Sequence, residues 1–124
     1  RLPSFMEARS KVHEFYNENL KNVNWLDLPL PIAAGCTTSY YFYHIQVKNG
    51  KRDELAKYLR DRGIYTTYRY FPLHRVPGYG VHASCPNADY AVDNTLCMPM
   101  HQSLSLDDLT LIVDTIKEFG SKYC

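Results

Sequence analysis

Residues Ser39 to Phe71 read SYYFYHIQV-KNGK-RDELAKYLRDR-G-IYTTYRYF, and their reading decides the fold. Ser39–Val47 is rich in aromatic and β-branched residues and reads as the strongest strand of the chain. Its alternate positions give one face of Tyr41, Tyr43, Ile45 and Val47 and another of Tyr40, Phe42, His44 and Gln46. Both faces carry rings, so both are expected to be covered at least in part. Lys48-Asn49-Gly50 ends the strand. Arg52–Arg62 has Leu55, Ala56 and Leu59 at helical spacing, and Gly63 stands where a left-handed helix C-cap belongs. Ile64–Phe71 reads as a second strand, stopped by Pro72, which has no N–H for a ladder. A strand, helix, strand unit normally makes a right-handed crossover between parallel strands. The alternative is a second strand that joins antiparallel through an edge, with helices on one face. Local pattern leaves both open.

Outward from this unit, Pro3–Lys21 reads as an amphipathic helix with Phe5, Ala8, Val12, Phe15 or Tyr16, and Leu20 on one face. Ser4 and Glu7 have capping-box spacing at its start. Asn22–Thr38, with Trp25, Pro29, Pro31 and Gly35 and no clear period, reads as an extended connection. Leu73–Ser84 reads as a Gly/Pro loop. A helix opens at Cys85-Pro86 and runs to about Leu96, and Cys97–Met100 is a short extended stretch. Ser105 caps a last helix, with Asp108 three residues on and a stripe of Leu106, Leu109, Ile112, Val113, Ile116 and Phe119.

The whole chain is 124 residues, 45% hydrophobic and 22% charged, which fits a single globular domain over 1–124. Its 14 basic and 13 acidic residues leave a formal charge of +1, without the basic excess of a nucleic-acid binder, and no RNP-type pattern accompanies the tyrosine-rich strands. No apolar run approaches the roughly 18 residues of a membrane helix. The chain opens at Arg1 without a signal-peptide pattern and reads as a piece of something longer. Cys36, Cys85, Cys97 and Cys124 form no Cys-x-x-Cys pair, so reduced thiols and a cytoplasmic setting are expected. The eleven tyrosines are the unusual count, since tyrosine is enriched where surfaces meet ligands or partners.

Several chemistries compete for these residues. His82, Cys85, Cys97 and His101 have zinc-like types and spacing, but a helix over Pro86–Leu96 spans about 16 Å and holds the two halves apart. No metal is expected. Cys85 or Cys97 with His74, His82 or His101 is the material of a nucleophilic pair, yet no local signature surrounds either thiol. Tyr68-Arg69-Tyr70-Phe71-Pro72-Leu73-His74 is the stronger candidate. It sets an Arg, phenols and an imidazole at a strand end, where ligands commonly sit, and the guanidinium fork matches phosphate or carboxylate oxygens.

Four segments, taken in order, resemble one family: SYYFYHIQV, RDELAKYLRDRGI, GIYTTYRYFPLH, and CPNADYAVDNTLCMPMHQSLSLDDLTLIVDTIKEF. The similarity is to the pyridoxal-phosphate (PLP)-dependent sugar aminotransferases of the DegT/DnrJ/StrS type. It implies the C-terminal small domain of a fold-type I enzyme. The fold would be a two-layer α/β (α+β-like) body over 23–124, with a small, mainly antiparallel sheet and helices on one face, preceded by a long connector helix over 1–22. The implied function is contact with a nucleotide-linked keto sugar and closure of the site, with an amino acid such as glutamate as donor. Arg69 and Tyr70 fall on the family's His-Tyr pair; Tyr70 matches and Arg69 departs from the usual histidine. His74 matches the histidine that follows Pro-Leu, and either holds the loop or faces substrate.

Substrate-binding expectations are therefore Arg69, Tyr70 and His74, with no catalytic or cofactor-binding residue in this chain. PLP belongs to the intact parent, on a lysine of the large domain. Lys48, Lys51 and Lys57 do not resemble that lysine's motif. The resemblance implies partnership with the large domain of the same enzyme and a homodimer, without nucleic acid or membrane. An isolated chain is expected to pair through Phe5, Val12 and Tyr16. The alternative function is a stand-alone nucleotide-sugar-binding or protein-interaction module without catalysis.

Overall fold

The computed structural model describes residues 1–80 and 83–124. The chain runs α1 (Leu2–Leu20), β1 (Leu26–Asp27), β2 (Tyr43–Val47), α2 (Arg52–Arg60), α3 (Pro86–Asn94), β3 (Thr95–Met98) and α4 (Leu106–Tyr123), with 3-10 turns at Leu73–Arg75 and Pro77–Tyr79 between α2 and α3. The sheet is antiparallel in the order β1-β2-β3. Pairing of Tyr43 with Met98, Ile45 with Leu96 and Leu26 with Val47 sets these side chains on one face. That face meets α1, α2 and α4 in one core with Val12, Tyr16, Leu20, Leu55, Leu59, Ile112, Ile116 and Phe119. The small antiparallel sheet with a long N-terminal helix is the architecture that the resemblance implies.

The strand–helix–strand reading is corrected in one respect. Ile64–Phe71 is not a strand; it touches the sheet through a single antiparallel bridge between Thr67 and Cys97. Thr67 N donates to Cys97 O at 3.1 Å and Cys97 N returns to Thr67 O at 2.8 Å. Because β3 is antiparallel to β2, residues around Thr67 run in the direction of β2, with β3 inserted between them. Ile64 and Thr66 are buried, whereas Tyr68–Phe71 are exposed and leave the sheet. The β2 strand is also shorter than expected, and Tyr40 before it has a positive φ of 47° and packs on the His13 ring. Its inward face is fully buried at Tyr43, Ile45 and Val47, and Phe42, His44 and Gln46 on the other face are half-buried.

Helix α2 follows its charges: Asp53 and Glu54 lie in the first turn, Lys57 and Arg60 in the last, each favourable to the helix dipole. Gly63 adopts φ 78° just beyond it, and Ile64 N donates back to Leu59 O at 3.0 Å. Helix α4 starts on a full capping box between Ser105 and Asp108. Helix α1 has no such box: Ser4 Oγ donates to Arg1 O, and Glu7 pairs with Lys11 instead. Leu106 is exposed rather than part of the α4 stripe, since it occupies the first helical position outside the packed turns.

The first helix does not offer the pairing surface expected of it. Val12 and Tyr16 are 3% and 0% exposed, because α1 lies against α4 and the sheet of its own chain. The Tyr16 ring packs 4.8 Å from that of Tyr43, and its hydroxyl donates to Pro99 O at 2.9 Å. Tyr43 donates in turn to Asn17 Oδ1 at 2.7 Å. Both interior phenols thus keep a partner, as burial of a hydroxyl requires. Of the three residues only Phe5 reaches the surface. No helix among the described residues is long and apolar enough to cross a membrane.

Candidate functional site

The segment Tyr68–Arg75 is fixed at both ends and exposed in the middle. Thr67 ties its start to β3, and buried Pro72 followed by the Leu73–Arg75 turn ties its end. Between them Tyr68, Arg69, Tyr70 and Phe71 project from the surface, Tyr70 at 71% exposure, and the Arg69–Tyr70 peptide bond is cis. These four residues line a cleft of about 310 Å³ together with Arg52, Arg75 and, from α3, Val92 and Asp93. Arg69 also lines a smaller depression of about 170 Å³ on the outer sheet face, beside Thr67 and Cys97.

The three guanidiniums of the cleft differ in what already holds them. Arg52 donates from Nη1 to Val92 O at 2.6 Å and from Nε to Asp53 at 2.6 Å, and its guanidinium carbon lies 4.5 Å over the Tyr68 ring. Arg75 grips Asp93 with two bonds of 3.1 and 3.2 Å, and its Nε is 2.5 Å from Asp89 Oδ1. Arg69 makes no ion pair among the described residues, and its guanidinium carbon lies 5.9 Å from the Tyr70 ring. Its fork therefore remains the available anion binder of the cleft.

His74 Nε2 donates to Asp89 Oδ1 at 2.8 Å, and its side chain is mostly buried. The bond to His74, then those from Arg75, hold the Asp89 carboxyl below its ordinary value, and Arg75 does the same for Asp93. The structure thus brings Arg69 and Tyr70 to one cleft, whereas His74 does not line it and is joined to Asp89 of α3. Nothing in the sequence singles out Arg52, Arg75, Asp89 and Asp93 as parts of one site. Asp89 and Asp93 stand four residues apart on one helix face, where like charges repel unless a cation offsets them. Arg52 carried no signal beyond opening a helix.

The other candidates lie elsewhere. Lys48 pairs with Asp27, Lys51 with Glu54 and Lys57 with Asp61, and none of the three lines the cleft. Guanidiniums, phenols and carboxylates offer no amine for the covalent anchorage of a PLP cofactor, so the residues lining this cleft do not fit that group. Cys85 caps α3 and Cys97 lies in β3, so α3 separates them; His82 falls outside the described residues. Among the described residues no three His, Cys, Asp or Glu side chains group as metal ligands.

Comparison with known proteins bears on the whole chain. A model of the "DegT/DnrJ/EryC1/StrS aminotransferase family" matches residues 1–117. The chain is 36% identical, over 95% of its length, to a dTDP-4-dehydro-2,3,6-trideoxy-D-glucose 4-aminotransferase of Saccharopolyspora spinosa, of which it covers 31%. It superposes with a TM-score of 0.93 on the crystal structure of an aminotransferase, TlmJ, from Streptoalloteichus hindustanus, at 43% identity, covering 98% of this chain and 33% of that one. A DegT/DnrJ/EryC1/StrS aminotransferase from Brucella abortus superposes with a TM-score of 0.82 at 31% identity, covering 95% and 32%. The chain therefore spans about a third of the length of the relatives it matches. Sequence and fold together make it a member of the DegT/DnrJ/EryC1/StrS aminotransferase family.

Proposed function

We propose that this chain is the C-terminal small domain of a PLP-dependent aminotransferase acting on a nucleotide-linked keto sugar. It binds and orients the sugar nucleotide; a large domain of the same polypeptide, acting in a homodimer, furnishes the cofactor lysine. The observation that carries the reading is Arg69, which makes no ion pair among the described residues, in a cleft with Tyr68, Tyr70 and Phe71. A guanidinium fork takes diphosphate oxygens, and phenols cover a sugar or base while still donating hydrogen bonds. Relatives from Saccharopolyspora spinosa and Shigella dysenteriae carry names for enzymes of dTDP-linked sugars, which supports a dTDP sugar as the class of substrate. His74 belongs to the loop's support through Asp89 and sets where the cleft wall stands. The exposed rings of Tyr65, Tyr68, Tyr70 and Phe71 suit burial against a further domain, which shields the reacting centre from water on closure. The helix over 1–22 serves as the connector to that domain, and 23–124 is the body.

The test is Arg69→Ala in the full-length enzyme. The Michaelis constant for the sugar nucleotide is expected to rise about tenfold or more while the visible absorbance of bound cofactor persists. Loss of the cofactor with unchanged sugar-nucleotide binding overturns the assignment.

A further inference from the structure

Two polar ties cross between the Tyr68–Arg75 segment and its neighbours, and neither consumes Arg69. At one end Arg52, the first residue of α2, packs its guanidinium 4.5 Å over the Tyr68 ring and donates to Val92 O of α3. At the other end Asp89 of α3 accepts from His74 at 2.8 Å and receives Arg75 Nε at 2.5 Å. The segment itself has little else to hold it. Tyr68–Phe71 are exposed, belong to no strand, and follow a single backbone bridge at Thr67. Arg52 is the better buried partner of its tie, with its side chain only 18% exposed despite the surrounding water-facing residues. An arginine held that far from solvent with a backbone carbonyl, a carboxylate and an aromatic face satisfied has little freedom to leave for a ligand. Arg75, though exposed, is held by its donors, which engage Asp89 and Asp93.

We infer that Arg52 and Asp89 are positioning residues: they set the separation between the Arg69-Tyr70 wall and α3, and so tune the cleft to the diphosphate of the sugar nucleotide. This rests on Arg69 as the substrate contact proposed above. A fork that must meet two phosphate groups tolerates small displacement poorly, since hydrogen bonds weaken steeply away from their ideal length and angle and a bidentate pair needs both at once. The ties act on Arg69 and Tyr70 by fixing the cleft wall that Arg52 also lines, and touch no reacting atom.

The experiment uses the full-length enzyme and dTDP as the probe, with calorimetric affinity, the visible absorbance of bound cofactor and the thermal midpoint measured for each variant. Asp89→Asn and Arg52→Gln are each expected to weaken dTDP about tenfold, with cofactor absorbance unchanged and the midpoint still above the assay temperature. Asp89→Glu, which keeps the acceptor, is expected to restore most of the affinity. Unchanged dTDP affinity in both variants overturns the inference, as does weakened affinity that always accompanies lost cofactor, the mark of general unfolding. Arg69→Ala separates the two claims. If it weakens dTDP while Asp89→Asn and Arg52→Gln do not, the ties alone are refuted; if it leaves dTDP binding unchanged, the substrate reading and the inference fall together.

Discussion

Gly120 of α4 lies directly against the indole of Trp25: a Cβ placed on the glycine would sit 2.7 Å from Trp25 Cε2, and closer still to Nε1. Trp25 is itself held against Phe119, with ring centroids 5.8 Å apart, just before the β1 strand. A glycine inside a helix usually costs about 0.5–1 kcal/mol relative to alanine, so the exchange would stabilise an open site. Here overpacking, worth about 1–3 kcal/mol, outweighs that gain. Gly120→Ala is expected to lower stability, with a lower urea midpoint and a shifted emission of the single tryptophan. A higher midpoint contradicts the packing.

The interior phenols are expected to be costly to remove singly. Tyr16→Phe strips the donor from Pro99 O while leaving the ring packed on Tyr43. The cost is about 1–3 kcal/mol, that of a buried acceptor losing its partner. Chemical denaturation reads it directly, and a change within about 0.3 kcal/mol would show that water reaches Pro99 O instead.

Acid is expected to act in two windows. Burial holds the folded-state His13 and His44 below the ordinary value of 6.5, and neighbouring His13 adds to the effect at His44. Asn17 Nδ2 faces His13 Nδ1 at 3.2 Å, a bond that needs the neutral ring to accept. The unfolded chain therefore takes up these protons first, and stability falls as pH drops below about 6.5. A second loss follows below about 4, as Asp89, Asp93, Asp108 and Glu118, all held below their ordinary values by hydrogen bonds and nearby cations, become protonated. Urea midpoints across this range check the sign. His13→Phe is expected to flatten the upper step and leave the lower one in place.

Thiol chemistry should divide the cysteines. Cys36 is exposed, whereas Cys97 is 4% exposed in β3 and burial raises its thiol above the ordinary range. Alkylation of the native protein is expected to label Cys36 within minutes and to spare Cys97 until the chain is unfolded. Rapid labelling of Cys97 would mean that the Thr67 bridge opens freely.

The helices were legible because their signals are local. Leu55, Ala56 and Leu59 point inward on α2, and Ser105 with Asp108 caps α4, as spacing alone predicts. The sheet was less legible because its edges are decided by distant partners. β1 is two residues in a Pro-punctuated stretch, created by register with Val47 and Gln46, and it has no period to read. Ile64–Phe71 has strand composition, but β3, which comes later in the chain, occupies the place beside β2. Arg69, Tyr70 and His74 are legible through their chemistry and their resemblance to a family motif. Arg52, Asp89 and Asp93 are not, since what marks them is a meeting in space of α2, α3 and the segment between.

The central claim is that residues 1–124 bind and orient a substrate whose reacting centre lies on other residues. The direct measurement mixes the purified chain with PLP, L-glutamate and a dTDP-linked keto sugar, with the full-length enzyme as control, and assays for the amino sugar. Product is expected from the full-length enzyme and none from this chain, even when its tryptophan emission reports a folded core. Amino sugar formed by the chain alone would contradict it.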